Sequence, residues 1–195
     1  MNDTKTIRVA ELFAGIGGFR LGLEQANSNW KYLQEQRKDG GCVEFKGDSR
    51  NTQRQSNTYF RCVWANEWDR HACQIYRKNF GEKELFEGDI RDEEICRQAV
   101  KDIEYVLHQA AMPSVPRSLA EPVITSEVNI MGTVKLLTAA AKTGVRRFVY
   151  AASSSAYGDQ SLPVKNELLL PRPLSPYAAA KLAGEYFCHA YSQSM

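Results

Sequence analysis

Apolar and polar residues along this chain alternate in two different periods, and the order of those periods predicts the fold. Short β-branched and apolar runs, typical of buried strands, occur at residues 6–13, 61–66, 102–109 and 147–153. Segments with helical spacing occur at residues 70–79, 93–101 and 122–144. Gly81 and Gly144 favour helix ends. Strands that alternate with helices predict an α/β fold with a parallel sheet and right-handed crossovers.

The first strand leads directly into a glycine-rich turn. Gly15, Gly17 and Gly18 follow Phe13, and helical character resumes after them. Glycines allow backbone N–H groups to approach a ligand, and the first turn of a helix offers unpaired donors to it. A tight turn with no ligand fits the same residues. Glu67, at the end of the second strand, occupies the position of the ribose ligand in this architecture.

Glu67 lies about 50 residues after the glycine turn, whereas about 20 is usual. The excess is residues 27–60, which are rich in Asn, Gln, Ser, Gly and charges of both signs. Interspersed charges favour a solvated surface insertion over a nucleic-acid-binding segment.

The second half carries a candidate catalytic set: Ser153, Tyr177 and Lys181. Pro176 suits the first turn of a helix, so Tyr177 and Lys181, four residues apart, share one helix face. An ammonium close to the tyrosine oxygen favours the phenolate, which a tyrosine of pKa near 10 needs for proton transfer at neutral pH. Ser153 ends the last strand and is placed to bond the same substrate oxygen. The Y-x-x-x-K spacing also arises by chance, so its context decides.

The composition is typical of a globular protein but does not indicate its function. The chain has 195 residues, 43% hydrophobic and 25% charged, with a formal net charge of +2. These values predict one globular domain and give no electrostatic case for nucleic acid. No apolar run of about 18 residues and no signal peptide is evident, so we expect a cytoplasmic protein. The five cysteines and three histidines lack zinc-site spacing, and no metal is expected.

Three motifs of the first half occur together: AELFAGIGGFR at 10–20, WANEWD at 64–69 and GDI at 88–90. Residues 8–91 thereby resemble the S-adenosylmethionine-binding half of cytosine-5 DNA methyltransferases. The resemblance implies cofactor contacts from Phe13, Gly15, Gly17, Gly18, Glu67, Trp68, Asp89 and Ile90. That family attacks cytosine with a cysteine that follows a proline, and none of the seven prolines here is followed by Cys. DNA methylation, and DNA as a partner of this chain alone, are therefore not expected.

The second half contains YVLHQAA at 105–111, AASSSAYGD at 151–159 and PLSPYAAAK at 173–181. Residues 88–192 thereby resemble extended short-chain dehydrogenase/reductases, specifically NAD-dependent nucleotide-sugar 4-epimerases of the UDP-N-acetylglucosamine type. The resemblance implies that Ser153, Tyr177 and Lys181 are catalytic, and that NAD is bordered by Ala110, Ala111 and Lys181. It also implies a nucleotide-sugar substrate and a homodimer through helices 122–142 and 176–193. The family's own glycine-rich turn and its sugar-nucleotide lobe are missing here.

Both families use a parallel sheet of strand order 3-2-1-4-5, so a join within residues 88–92 would preserve the topology. We expect one Rossmann-like, doubly wound, three-layer domain over residues 1–195. It would combine a methyltransferase-like cofactor half, 1–90, with an epimerase-like catalytic half, 91–195, truncated before the substrate lobe. The leading hypothesis is a hybrid domain that binds an adenosine cofactor, either NAD or S-adenosylmethionine, with weak or no turnover alone. The alternatives are a cofactor-binding remnant of a methyltransferase and a folded chimera without a ligand.

Overall fold

The fold is an α/β sandwich around one parallel sheet. A computed structural model describes residues 5–12, 20–28, 58–160 and 164–194. Within these ranges five strands pair in parallel in the order β3-β2-β1-β4-β5. They are β1 Lys5–Leu12, β2 Thr58–Glu67, β3 Leu85–Glu87, β4 Tyr105–His108 and β5 Arg147–Tyr150. The strand order and the parallel pairing confirm the predicted fold class.

Helices cover both faces of this sheet. Over the described residues they are α1 (20–28), α2 Arg70–Phe80, α3 Glu93–Ala99, α4 Val115–Ala120, α5 Pro122–Ser126, α6 Thr133–Thr143 and α7 Pro176–Ser194. A π-helical turn, Glu127–Gly132, joins α5 to α6, and a 3₁₀ turn, Ser154–Tyr157, follows β5.

Local capping explains where several helices begin and end. The Asp69 carboxylate accepts the Ala72 N–H at 2.8 Å at the start of α2, which satisfies a backbone donor that the helix leaves unpaired. Asp92 caps α3 in the same way through Glu94 N–H at 2.7 Å. Gly144 ends α6 in the left-handed region, at φ 74°. The predicted helix ends at Gly81 and Gly144 are therefore those of the structure.

Two hydrophobic clusters, one on each face of the sheet, form the core. One cluster packs the sheet against α3 and α6 and includes Leu12, Ile90, Val106 and Leu136. The other packs β2 and β3 against α2 and consists of Cys62, Ala65, Cys73, Tyr76 and Leu85. Burial on both faces gives the three layers that the alternating pattern predicts.

Three details differ from the prediction. The helix expected over 122–144 contains the π-helical turn. Asn129 lies in this turn and accepts a hydrogen bond from Met112, in the loop after β4. Helix α4 was not predicted, although Ser114 caps it by accepting the Arg117 N–H at 3.2 Å. The insertion expected over 27–60 is shorter, because residues 27–28 belong to α1 and β2 begins at Thr58. Most of that insertion lies outside the described residues.

In the part of the chain that the structure describes, no helix has both the length and the hydropathy needed to cross a bilayer. The same residues contain no group of three or more Cys, His, Asp or Glu side chains arranged to hold a metal ion.

Candidate cofactor and catalytic site

A cleft opens to solvent where β2, β3 and β4 reach their carboxyl ends. It is lined by Asn66, Trp68, Gly88, Asp89, Ile90, Ala110, Ala111, Met112 and Val128. Five of these residues are predicted cofactor contacts: Trp68, Asp89, Ile90, Ala110 and Ala111. Small apolar walls with a few polar groups, at this edge of a parallel sheet, fit the adenosine part of a dinucleotide.

Arg91 holds the Asp89 carboxylate in its charged form. The Arg91 backbone N–H donates to Oδ1 at 2.8 Å, and the guanidinium donates to Oδ2 at 2.7 and 2.9 Å. Partial burial alone would raise the pKa of Asp89, but the bonds from Arg91 outweigh it and lower the pKa. A carboxylate has about four acceptor positions, so Asp89 retains capacity to accept an amino group of a ligand in the cleft.

Glu67 lies at the end of β2, as predicted, but its side chain is buried. It is 1% exposed, and Oε1 accepts the backbone N–H groups of Trp68 and Asp69 at 2.8 and 2.9 Å. Its neighbours Asn66 and Trp68 line the cleft instead. The ribose role of Glu67 therefore stays a prediction that requires one of its oxygens to become accessible.

The glycine-turn residues expected to bind the cofactor lie outside the described residues. These are Phe13, Gly15, Gly17 and Gly18. Their assignment to the cofactor stays a prediction.

The loop after β4 is fixed by a buried residue that sequence reasoning missed. Asn129, 1% exposed, accepts the Met112 N–H at 2.7 Å and donates to the Met112 carbonyl at 3.4 Å. This pairing holds Ala110 and Ala111 against the cleft, because the loop cannot move without breaking both bonds. The sequence signal that could have identified this residue is an asparagine within an apolar helical stripe.

The candidate catalytic residues come from two adjacent elements, since α7 packs against β5 and the 3₁₀ turn after it. Ser153 precedes that turn, and its Oγ lies 2.7 Å from Ser155 Oγ. Tyr177 is half-buried in the first turn of α7, where Ser175 Oγ accepts the Ala178 N–H at 3.1 Å. The cap fixes the start of the helix and therefore the position of Tyr177.

Lys181 is the most deeply buried of the three, with 3% exposure. Burial lowers the pKa of its ammonium to about 8, although nearby Glu185 and Cys188 act in the opposite direction. The i,i+4 spacing predicted an ammonium beside the Tyr177 oxygen. The structure adds a contact that the spacing did not predict: Nζ lies 4.2 Å from the centroid of the Tyr150 ring.

His108, at the end of β4, is buried beneath this region in a defined protonation state. Its Nε2 lies 2.9 Å from Thr133 Oγ1, and the Thr133 hydroxyl donates to the Asn129 carbonyl at 2.8 Å. Because that hydroxyl has only one proton, Nε2 must donate to it, which assigns the Nε2–H tautomer. Burial, with the charge of Lys181 acting in the same direction, lowers the pKa of His108 to about 3.

His108 should make the folded state sensitive to acid. Its folded pKa lies below the unfolded value of about 6.5, so the unfolded chain binds more protons between these values. Stability is therefore lost as pH falls from about 6.5 toward 3, by up to about 1.4 kcal/mol per pH unit. Urea unfolding of wild type and His108→Gln at pH 7 and pH 5 tests this. The loss of unfolding free energy between pH 7 and pH 5 should be smaller by about 2 kcal/mol in His108→Gln than in wild type.

His71→Gln is the matched control, because His71 is exposed at the start of α2. The free energy of unfolding of this variant should depend on pH as that of wild type does. Equal effects of the two substitutions would contradict the role given to His108.

Comparison with known proteins identifies the lineage of most of the chain. Residues 49–195 match the NAD dependent epimerase/dehydratase family. The chain belongs to this family. The matched range begins well before residues 88–92, the segment where the epimerase resemblance was expected to start, and it includes Glu67 and Trp68. The methyltransferase resemblance of residues 8–91 gains no support from these comparisons.

Several family members are close relatives in sequence. A UDP-glucose 4-epimerase of Mycolicibacterium smegmatis is 42% identical over 89 residues, which are 45% of this chain and 28% of that protein. A UDP-glucuronate 4-epimerase of Thermodesulfobacterium geofontis is 40% identical over 89 residues, 46% of this chain and 28% of that protein. The matched residues thus make up less than a third of the length of these relatives.

The solved structures agree in fold. A UDP-glucuronic acid 4-epimerase from Bacillus cereus, in complex with UDP-glucuronic acid and NAD, superposes with a TM-score of 0.68 at 25% identity. The superposition covers 96% of this chain and 53% of that one. Nearly all of this chain therefore corresponds to about half of that epimerase chain.

Proposed function

We propose that this chain is the cofactor-binding and catalytic part of an NAD-dependent nucleotide-sugar 4-epimerase, with weak or no turnover alone. The observation that carries the proposal is the buried Lys181, one turn after Tyr177, on a helix packed against the sheet that forms the cleft. The relatives support it, since those described above are named as 4-epimerases of UDP-sugars. The proposed substrate class is therefore a nucleotide sugar.

The three candidate catalytic residues divide the chemistry among them. The Tyr177 oxygen takes the proton from a sugar hydroxyl and later returns it. The Lys181 charge favours the tyrosinate, so that proton transfer becomes feasible near neutral pH. The Ser153 hydroxyl bonds the same sugar oxygen and orients it. NAD, when bound, would take up and give back the hydride of the sugar carbon that bears this hydroxyl.

The residues of the cleft are suited to hold this cofactor. Trp68, Ile90, Ala110 and Ala111 provide apolar surface for an adenine ring, and Asp89 provides an acceptor for its amino group. Lys181, in addition to its proposed effect on Tyr177, would bond the nicotinamide ribose. S-adenosylmethionine carries the same adenosine, so the motifs of residues 8–91 make it the competing ligand.

Calorimetric titration with NAD and, separately, with S-adenosylhomocysteine tests the proposal. NAD should bind wild type, and Asp89→Ala should weaken binding about tenfold or more, because a charged hydrogen bond is lost. Asp159→Ala is the control, since Asp159 is exposed and lies outside the cleft lining. Binding of S-adenosylhomocysteine alone would favour the methyltransferase remnant, and binding of neither would leave a folded chimera without a ligand.

We also propose that the chain forms a homodimer through the predicted helices 122–142 and 176–193. Large apolar side chains are exposed on α4, α5, α7 and the π-helical turn: Leu119 63%, Val123 69%, Met131 50% and Tyr186 61%. Exposed apolar surface of this kind is typical of protein interfaces. Light scattering should give twice the chain mass of 22.0 kDa, and Val123→Glu should reduce it to the monomer mass.

A further inference from the structure

Lys181 is held by an aromatic residue that the motifs did not single out. Tyr150 is the last residue of β5, and its ring centroid lies 4.2 Å from Lys181 Nζ. A cation over an aromatic face is attracted by the negative face of the ring, and the attraction strengthens when water is excluded. Only 3% of Lys181 is exposed. The ring is therefore a principal partner of the ammonium group in this buried position.

Tyr150 also contacts the backbone of the same lysine. Its hydroxyl donates to the Lys181 carbonyl oxygen at 3.4 Å. One side chain thus touches both the ammonium and the main chain of Lys181. The arrangement restrains where the lysine residue lies on α7 and where its side chain ends.

Gly184 makes this contact sterically feasible. A Cβ at that position would lie 2.3 Å from the Tyr150 hydroxyl oxygen and 2.5 Å from its Cζ. Both distances are well inside van der Waals contact, so any side chain at 184 would displace the ring. On the other side the His108 ring lies 5.5 Å from the Tyr150 ring, centroid to centroid. Tyr150 is therefore confined between β4 and α7.

We propose that Tyr150 is a positioning residue for Lys181, with Gly184 keeping the space that the tyrosine ring needs. The ring orients the ammonium, and the hydroxyl ties the ring to the helix that also carries Tyr177. Its relevance to catalysis rests on the proposed function, whereas the placement of Lys181 can be measured without any substrate.

Competitive labelling of lysines with trace acetic anhydride at pH 8, read by mass spectrometry, tests the placement. In wild type Lys181 should label slowly relative to exposed lysines. Tyr150→Phe keeps the ring and should stay within about twofold of wild type. Tyr150→Leu removes the ring, and the labelling of Lys181 should rise about tenfold or more. Gly184→Ala should raise it as well, by displacing the ring.

Phe148→Leu is the matched control, because Phe148 is another β5 aromatic that packs on His108. It removes a ring from the same strand, so labelling of Lys181 should stay within about twofold. A purely structural Tyr150 would give equal rises in Tyr150→Leu and Phe148→Leu, which would overturn the proposal. Unchanged labelling in Gly184→Ala, or a large rise in Tyr150→Phe, would also overturn it. The Phe and Ala variants keep the test decisive should Tyr150→Leu fail to fold.

NAD binding separates this proposal from the proposed function. If the labelling pattern is as expected but the wild-type chain binds no NAD, the positioning role is supported and the epimerase function is rejected. If the chain binds NAD but Lys181 is labelled equally in wild type and Tyr150→Leu, the positioning role is rejected and the epimerase function remains supported. Where both hold, Tyr150→Leu should lower turnover about 10- to 30-fold, and Tyr150→Phe should restore it.

Discussion

Replacing Tyr177 with phenylalanine is expected to lower nucleotide-sugar conversion by about 10²- to 10⁴-fold, with NAD affinity within about threefold of wild type. The substitution removes only the phenolic oxygen, which we propose accepts the proton of the sugar hydroxyl. The ring remains in the first turn of α7, so the capped start of that helix should persist. Loss of rate without loss of binding is the signature of a group that acts in the transition state.

The assay is conversion of a UDP-hexose or UDP-hexosamine to its 4-epimer, at high enzyme concentration and over a single turnover if steady-state turnover is slow. Tyr186→Phe is the control, because Tyr186 lies on the same helix with 61% exposure. Its rate should match wild type. Equal rates for wild type and Tyr177→Phe would remove Tyr177 from the proton transfer.

The second large effect is expected at Gly158, which ends the 3₁₀ turn after Ser153. Its φ is +66°, and a Cβ there would lie 2.0 Å from the Arg172 carbonyl oxygen. At φ 66° and ψ −150° the backbone is in a region that essentially only glycine adopts, so Gly158→Ala combines a backbone penalty of about 1–3 kcal/mol with a backbone clash, and should cost about 3 kcal/mol or more. Relief of the clash requires movement of the turn that holds Ser153, so activity should fall with stability.

Gly144→Ala is the comparison, because it carries a positive-φ penalty without a clash. Gly144 has φ +74°, and a Cβ there would meet nothing within 4 Å. It should therefore cost only the backbone penalty of about 1–2 kcal/mol. Urea unfolding of both variants measures the difference. Equal losses at 144 and 158 would show that the approach of Arg172 carries no energetic weight.

Sequence patterns predicted the elements whose causes are local. The strand and helix periods and the glycine ends at 81 and 144 all act within a few residues of one another. Helix α4 was missed because six residues are too few to show a period. The π-helical turn was missed because its cause is distant in sequence: Asn129 bonds Met112, and Gly132 abuts Ile90.

The candidate site divides in the same way. The motifs identified five residues that the structure brings into one cleft: Trp68, Asp89, Ile90, Ala110 and Ala111. The burial of Glu67 depends on the backbone N–H groups of Trp68 and Asp69, which lie between β2 and α2. A ribose position inferred from sequence alone does not take these bonds into account. The Tyr150 contact with Lys181 depends on how α7 packs on β5, which no spacing within one motif reports.

The pairing between Asn27 and Phe60 fastens α1 to β2 at the two ends of the chain between them. The Asn27 amide donates to the Phe60 carbonyl at 2.6 Å, and its oxygen accepts the Phe60 N–H at 2.9 Å. The two ends of the intervening stretch are thus joined side by side where α1 meets β2. Loop-closure entropy grows only logarithmically, by about 0.6 kcal/mol for each doubling of length. This junction is therefore a position at which a gene could gain or lose a whole segment while the α/β fold around it persists.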